Sequence, residues 1–234
     1  MAVYKIFPLQ DASIYSGYPV MNTGIDSILE VSNLNPSTFA TPIVARSIIQ
    51  FDQDQINSVI DTYNTASTNI SASLKAFISN ASGIVMPSVM EIYPLSGSFN
   101  NGSGEFLDSP STKNGVSWEF RSNSGSNAWT TESFSTNVTA SFLTASAGGG
   151  TWYTASSDTN LKLEYTQSFN LRTSKDINSD VTDIVKTWYS SSKSIAGTYT
   201  NIENNGFILK WSDSIEFDNN LSIQPNMQFY SVDT

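Results

Sequence analysis

Short segments in which apolar and polar residues alternate are the feature that most restricts the fold of this chain. The alternation occurs at 72–78, 88–95, 116–120, 161–169 and 207–211. Successive side chains of a β-strand point to opposite faces, so a period of two predicts strands with one buried face. Further apolar segments predict strands at 3–7, 12–15, 25–31, 46–51 and from 227.

Two segments repeat their apolar residues with helical spacing instead. Ile56, Val59 and Ile60 predict a short helix from about 54 to 64, with Asp52 or Asp54 as its cap. The same spacing predicts a second helix over 180–189 whose buried face is Val181, Ile184, Val185 and Trp188. Many short strands with one or two short helices are typical of an all-β protein, and the length favours a jelly-roll β-sandwich.

The 234 residues suit a single domain, 1–234, with a long Ser/Thr/Gly-rich loop region at about 122–158. Trp129, Trp152 and Tyr153 argue against full disorder of that region, because aromatic residues are depleted in disordered segments. The last segment, 226–234, resembles an interrupted element. We therefore expect either that the chain is the N-terminal part of a longer protein, or that a neighbouring subunit pairs with an open sheet edge there.

Composition and charge exclude several classes of function. The chain has no cysteine and no histidine, which excludes disulfides, thiolate nucleophiles, Ser-His-Asp catalysis and zinc-thiolate sites. The net charge of -10, without any Lys/Arg cluster, disfavours nucleic acid and anionic membrane surfaces as partners. The first residues do not show a signal-peptide pattern, and the sequence contains no apolar run of membrane-spanning length, so we expect neither a cleaved leader nor a membrane span.

Several short motifs follow one another in a fixed order along nearly the whole chain. They are DASIY at 11–15, NTGIDSILEV at 22–31, RSIIQFD at 46–52, GVSWEF at 115–120, DVTDIVKTW at 180–188 and NNGFILKW at 204–211. In this order they resemble the DNRLRE-type domain, a jelly-roll module related in architecture to carbohydrate-binding modules. The matching positions are Asp11, Asn22, Gly24, Leu29, Val31, Arg46, Phe51, Asp52, Trp118, Asp180, Val181, Thr182, Val185, Trp188, Asn205, Gly206, Phe207, Leu209 and Lys210.

The chain departs from the DNRLRE pattern in the longer linker after Phe51 and in the stretch 122–158. The elongated, Ser/Thr-rich form resembles virion structural proteins of tailed bacteriophages, particularly of the marine, cyanophage-like type. This resemblance implies a non-enzymatic component of the neck, tail or baseplate, located in the virion and assembled in the host cytoplasm. Its partners would be other virion proteins and further copies of itself. The alternative is a module that recognises host-surface glycans.

Individual side chains leave two interpretations open. Arg46 and Asp52 flank an apolar strand, either as structural charges or as ligand contacts. Trp129, Trp152 and Tyr153 either contact a glycan or a partner, or anchor the long loop on the sandwich.

Glycoside hydrolysis would need two carboxylates in one cleft, with these candidates: Glu91, Glu105, Glu119, Asp158 and Glu164. We expect no enzyme activity and no cofactor, and although calcium is the metal that best suits these residues, we assign no metal site.

Overall fold

The computed structural model describes residues 3–34, 42–63, 70–123, 126–129, 148–154, 161–195, 202–216, 218 and 224–234. The elements are β1 (Pro8–Tyr15), β2 (Ile28–Leu34), β3 (Ile43–Phe51), α1 (Gln53–Thr62), β4 (Ser73–Ala76), β5 (Ile78–Ser82), β6 (Ser88–Pro94), β7 (Tyr165–Phe169), β8 (Ile177–Asp180), α2 (Thr182–Ser192), β9 (Phe207–Trp211), α3 (Asp213–Glu216) and β10 (Asn226–Tyr230). The prediction of an all-β sandwich with short helices is confirmed.

The strands form one large curled antiparallel sheet and one small sheet. The large sheet has the order β5-β10-β2-β3-β9-β6-β7, and β1 pairs with β3. The small sheet consists of β4 and β8. Consecutive strands are rarely neighbours in the large sheet, so most of its pairings join distant parts of the sequence.

The small sheet lies beside both outer strands of the large one. A single residue, Phe77, separates β4 from β5. On the other side, the Gln167 amide of β7 donates to the Asp176 carbonyl at 2.8 Å and accepts from the Asn178 N–H at 2.9 Å. The Ile78 N–H donates to the Asp176 carboxylate at 2.9 Å. Side chains thus bind backbone groups that an exposed sheet edge would leave unpaired.

The central strands β3, β9 and β6 bury side chains on both faces. On β9, Phe207, Leu209 and Trp211 point to what we call the apolar face, which holds the larger hydrophobic cluster together with residues of α1 and α2. Ile208 points to the second face, where a smaller cluster lies. Lys210 alternates with Leu209 and Trp211, so it also belongs to the second face.

Carboxylates bind backbone N–H groups at the start of both longer helices. Asp52 is the N-cap of α1, and its carboxylate accepts from the Asp54 N–H at 2.8 Å. Ahead of α2, the Asp180 carboxylate accepts from the Thr182 N–H at 3.0 Å. Hydrogen bonds from Thr182, first that of its side chain and next that of this N–H, lower the pKa of Asp180. Both carboxylates satisfy N–H groups that the first turn of a helix leaves free.

Three local predictions are wrong, and one helix was not predicted. Residues 3–7 and 116–120 form no regular strand, although they alternate or are apolar, and the latter make only an isolated bridge between Phe120 and Ala128. The one-turn helix α3 was not predicted. Strand β10 lies between β2 and β5, with both edges paired, so the open edge expected at the last segment is not found there. Within the described ranges, no helix has the length and hydropathy needed to cross a membrane.

Candidate functional site

Five charged side chains meet on the second face and form what we call the charge cluster. Its members are Arg46 of β3, Glu91 of β6, Lys210 of β9, and Asp213 and Glu216 of α3. Arg46 and Lys210 project from neighbouring central strands. The short helix α3 follows β9 directly and brings its two carboxylates over them.

Arg46 and Glu216 form a buried, two-point ion pair. Arg46 Nε donates to Glu216 Oε1 at 3.1 Å, and Nη2 donates to Oε2 at 2.8 Å. The two side chains are 1% and 0% exposed. The planar guanidinium matches the carboxylate, which is why arginine suits a buried pair of this kind.

Aromatic rings and a backbone carbonyl complete the surroundings of Arg46. Its Nη1 donates to the Gly149 carbonyl at 2.5 Å. Its Cζ lies 5.1 Å from the ring centre of Trp118 and 4.9 Å from that of Trp152. Rings at these distances attract the cation while excluding water from it. The loop that carries Gly149 and Trp152 thereby closes over the pair.

Gly149 is required at its position for two reasons. Its φ is +79°, a left-handed value that glycine adopts readily. A Cβ there would also stand 2.7 Å from Arg46 Nη1 and 2.8 Å from the Trp118 ring. The flanking Gly148 and Gly150 have positive φ as well. The triple glycine is thus a specific structural element, whereas the sequence suggested only loop composition.

Lys210 links the remaining carboxylates. Its Nζ lies 3.0 Å from Glu91 Oε2, 2.9 Å from Asp213 Oδ1 and 3.7 Å from Glu216 Oε2. The Tyr93 hydroxyl donates to Glu91 Oε2 at 3.2 Å. Burial, and next the negative charge of Glu91, raise the pKa of Tyr93, so this phenol remains a neutral donor at physiological pH.

The buried members of the charge cluster bind one another. Both oxygens of Glu216 accept from Arg46, and this carboxylate is fully buried. Glu91 is engaged by Lys210 and Tyr93. Among the described residues, no group of three or more side chains is arranged to hold a metal ion.

The structure places the predicted aromatic contacts mainly inside the chain. Trp129 is 0% exposed and donates from Nε1 to the Ser117 carbonyl at 3.0 Å. Trp152 is 2% exposed and stacks on Tyr93 with ring centres 6.0 Å apart. Tyr153 is half-buried, and burial raises the pKa of its hydroxyl. Trp129 and Trp152 therefore anchor their segments on the second face, which was the alternative to contact with a glycan or partner.

The other candidate residues separate in the structure. Arg46 pairs with Glu216 and Asp52 caps α1, so the two residues that flank β3 have different roles. Of the candidate carboxylates that the structure describes, only Glu91 joins the charge cluster. Glu105 and Glu164 are exposed and Glu119 is half-buried. Asp158 lies outside the described residues.

Sequence reasoning missed Glu216 and the contact of Trp118 with Arg46. Glu216 is 170 residues away from Arg46, and no local pattern connects them. The position of Arg46 did indicate a partner of some kind, because a cation in an apolar strand requires a carboxylate nearby. Comparisons with protein-family models, curated proteins and solved structures found no match. The resemblance to the DNRLRE type therefore rests on the sequence motifs alone.

Proposed function

We propose that this chain is a non-enzymatic structural component of a tailed-phage virion, in the neck, tail or baseplate. It acts by packing against other virion proteins and further copies of itself. Two observations support the proposal: the sequence resembles phage virion proteins, and the buried charged groups of the fold bind one another. It assigns the chain neither a cofactor nor a catalytic residue.

The observation that carries the proposal is the exposed apolar segment before and at the start of β1. Val3, Tyr4, Phe7 and Leu9 are between 61% and 82% exposed, although they lie within seven residues of one another. Single exposed apolar side chains are ordinary, whereas an apolar group of this kind marks a surface that another protein covers. We assign the segment 3–9 as a contact with neighbouring virion subunits.

The glycan-binding alternative has less support from the geometry. A sugar ring stacks on aromatic side chains that face solvent in a groove. Trp129 and Trp152 instead lie in the interior, and Tyr153 is only partly accessible. The virion proposal requires no accessible aromatic platform.

Peptide mass fingerprinting of virus particles purified from the source of this sequence tests the proposal directly. We expect peptides of the chain in stoichiometric ratio to known structural proteins of the particle. Particles that lack these peptides, although the infected cells contain them, would contradict the proposal.

A pair of variants tests the role of the segment 3–9. Phe7→Ser with Leu9→Ser removes two exposed apolar side chains, and Leu171→Ser removes one that is 75% exposed at a distant turn. Both variants should unfold at the same temperature as the wild type, because neither changes the core. We expect the Phe7/Leu9 variant to be lost from particles and Leu171→Ser to be incorporated normally. Equal incorporation of both variants would show that the segment is not the contact.

A further inference from the structure

Three aromatic rings meet on the surface where the turn 105–108 lies beside the end of β1. Phe106 of this turn is 43% exposed, and its ring centre lies 4.9 Å from that of Tyr15 and 5.9 Å from that of Tyr18. The Tyr15 hydroxyl donates to Glu30 Oε2 at 3.4 Å. An accessible ring that stands in an aromatic group offers a flat surface on which another planar group can stack.

Carboxylates border these rings. Asp26 Oδ1 accepts from the Phe106 N–H at 3.0 Å. Glu105 and Asp108 stand on either side of the ring in the same turn, in which the Asp108 N–H donates to the Glu105 carbonyl at 3.2 Å. We call the rings and carboxylates together the aromatic–acidic surface, which consists of Tyr15, Tyr18, Phe106, Asp26, Glu30, Glu105 and Asp108.

The chain supplies no basic side chain to this surface. All eleven Lys and Arg residues lie within the described ranges, and none of them forms an ion pair with any of the four carboxylates. The result is visible at Asp26. Burial raises the pKa of Asp26, the hydrogen bond from the Phe106 N–H opposes the rise, and the negative charges of Glu105 and Asp108 add to it. The surface thus carries negative charge that no described Lys or Arg neutralises.

The interior of the same chain shows what such a set of groups can bind. The Arg46 guanidinium lies beside the rings of Trp118 and Trp152 and pairs with the Glu216 carboxylate. A guanidinium is planar and weakly hydrated, so it can stack on an aromatic ring while it donates to a carboxylate. The aromatic–acidic surface offers the same two kinds of group on the outside of the molecule.

We propose that the aromatic–acidic surface binds an arginine side chain of a partner protein. The guanidinium stacks on the accessible ring of Phe106 and donates to the carboxylates of Asp26 and Glu105. Arginine suits the surface better than lysine, because an ammonium ion is strongly hydrated and has no plane to stack. The inference rests on the proposed function in assembly for the origin of the partner, and it adds a second contact of stated chemistry to the segment 3–9.

The test titrates the isolated chain with two blocked peptides, acetyl-Gly-Arg-Gly-Arg-Gly-amide and its counterpart with citrulline in place of arginine. Citrulline has nearly the shape of arginine but is neutral. ¹H–¹⁵N spectra measure both affinities, and the Phe106 N–H signal reports the site. We expect the arginine peptide to bind about 3- to 30-fold more tightly, the range for one cation–π contact with one exposed ion pair, and to shift that signal.

Three outcomes of the titration would overturn the proposal. They are equal affinity of the two peptides, binding of neither peptide, and saturable binding of Ca²⁺ without binding of the arginine peptide, which would assign the carboxylates to a metal ion. Because the titration uses the isolated chain, none of these outcomes bears on whether the chain is found in virus particles, so the proposed function is tested separately.

Two double variants separate this surface from the net charge of the chain. Asp26→Asn with Glu105→Gln removes two of its carboxylates and keeps the shapes of the side chains. Asp54→Asn with Glu203→Gln removes two exposed carboxylates elsewhere, in α1 and ahead of β9. We expect the first variant to bind the arginine peptide at least 3-fold more weakly and the second to lose less than 2-fold. Equal losses would show that the peptide responds only to net charge, which would overturn the proposal.

A further pair of variants tests the aromatic part of the surface and does not depend on the carboxylate variants. Phe106→Ser removes the accessible ring, and Leu171→Ser removes an exposed apolar side chain at a distant turn. Thermal unfolding verifies that both variants are folded. We expect Phe106→Ser to weaken binding of the arginine peptide at least 3-fold and Leu171→Ser to leave it unchanged. Unchanged binding by folded Phe106→Ser would overturn the proposal.

Discussion

The two faces of strands β3, β9 and β6 are buried by different means. On the apolar face, Phe207, Leu209 and Trp211 pack against α1 and α2. On the second face, Arg46 and Lys210 lie under α3, and the loop that carries Gly149 and Trp152 covers Arg46. Neighbouring residues of one strand thus meet opposite environments: Leu209 is 0% exposed among hydrocarbon, and Lys210 is 1% exposed among carboxylates.

The difference shows that equal burial does not mean equal tolerance. Apolar side chains are stabilised roughly in proportion to the area they remove from water, at about 25 cal/mol per Å². A buried charge is stabilised only while its partners stand at the right distance, and it becomes costly when one partner is removed. Substitutions on the apolar face should therefore cost stability in proportion to the packing that they remove, whereas on the second face the loss of a single charged partner should strand the other.

The largest effect is expected from Glu216→Gln, which keeps the shape of the side chain but removes the charge opposite Arg46. We expect a loss of about 3–5 kcal/mol in the free energy of unfolding, the usual cost of stranding a buried charge. Urea denaturation at neutral pH measures it. The matched control is Arg46→Met with Glu216→Leu, which removes both charges and should cost less than Glu216→Gln alone. A double variant less stable than the single one would show that the pair itself stabilises the fold.

The next effect compares two buried tryptophans of the apolar face. Trp211→Ala should cost about 3–4 kcal/mol, because it empties a filled site and removes the hydrogen bond to Val31. Trp188→Ala should cost about 3 kcal/mol, at the lower end of the range for large aromatic side chains. Trp188 borders a cavity of about 680 Å³ between α1, α2 and β4, and its Nε1–H finds no acceptor among the described residues. Urea denaturation of the two variants, carried out in parallel, measures both losses in unfolding free energy. A larger loss for Trp188→Ala would mean that the cavity is not empty space.

A third effect concerns Asn22, whose hydrogen bonds hold the segment that carries Val116 against the second face. Its amide donates to the Asn101 carbonyl at 2.5 Å and to the Val116 carbonyl at 2.8 Å, and it accepts from the Gly104 N–H at 2.7 Å. Asn22→Ala leaves these backbone groups unpaired and should cost about 2–3 kcal/mol in unfolding free energy.

The control for Asn22 is Asn80→Ala on the exposed face of β5, where a change within about 0.5 kcal/mol is expected. Thermal unfolding of both variants, followed by circular dichroism, makes the comparison. Similar losses at the two positions would show that the buried hydrogen bonds of Asn22 are replaced by water.

These two faces also show how much the sequence predicts. Burial on the apolar face could be predicted, because alternation along β9 and helical spacing in α2 are local sequence patterns. Trp188 was correctly predicted to be buried. The contacts within the charge cluster could not be predicted from the sequence, because Arg46 meets Glu216 and Gly149 only after the sheet has formed. Spacing of 170 residues between partners leaves no periodic signal. For the same reason, the role of Trp152 beneath Arg46 emerged only from the structure.

Asp11 provides the smallest effect, and it separates burial from charge pairing. This carboxylate of β1 is 2% exposed, nearly as buried as Arg46, Lys210 and Glu216 of the charge cluster, but it accepts from neutral donors. The Ser231 hydroxyl donates to Oδ1 at 2.8 Å and the Val232 N–H donates to Oδ2 at 3.0 Å. No ion pair is found for Asp11 within the described part of the chain. Burial therefore dominates and raises the pKa of Asp11, while the two hydrogen bonds oppose the rise.

A raised pKa in the folded state gives the pH dependence a definite sign. Above the ordinary carboxyl pKa of 3.8, the folded chain holds the Asp11 proton more tightly than the unfolded chain does. Stability from this group is hence gained as the pH falls from the raised pKa towards 3.8, and it is lost as the pH rises. Asp11→Asn removes the titration, so the unfolding free energy of the wild type minus that of the variant should increase as the pH is lowered through this window. Urea denaturation at several pH values measures the difference. A decrease on acidification would mean that hydrogen bonds from Ser231 and Val232 outweigh burial and hold the pKa of Asp11 below its ordinary value.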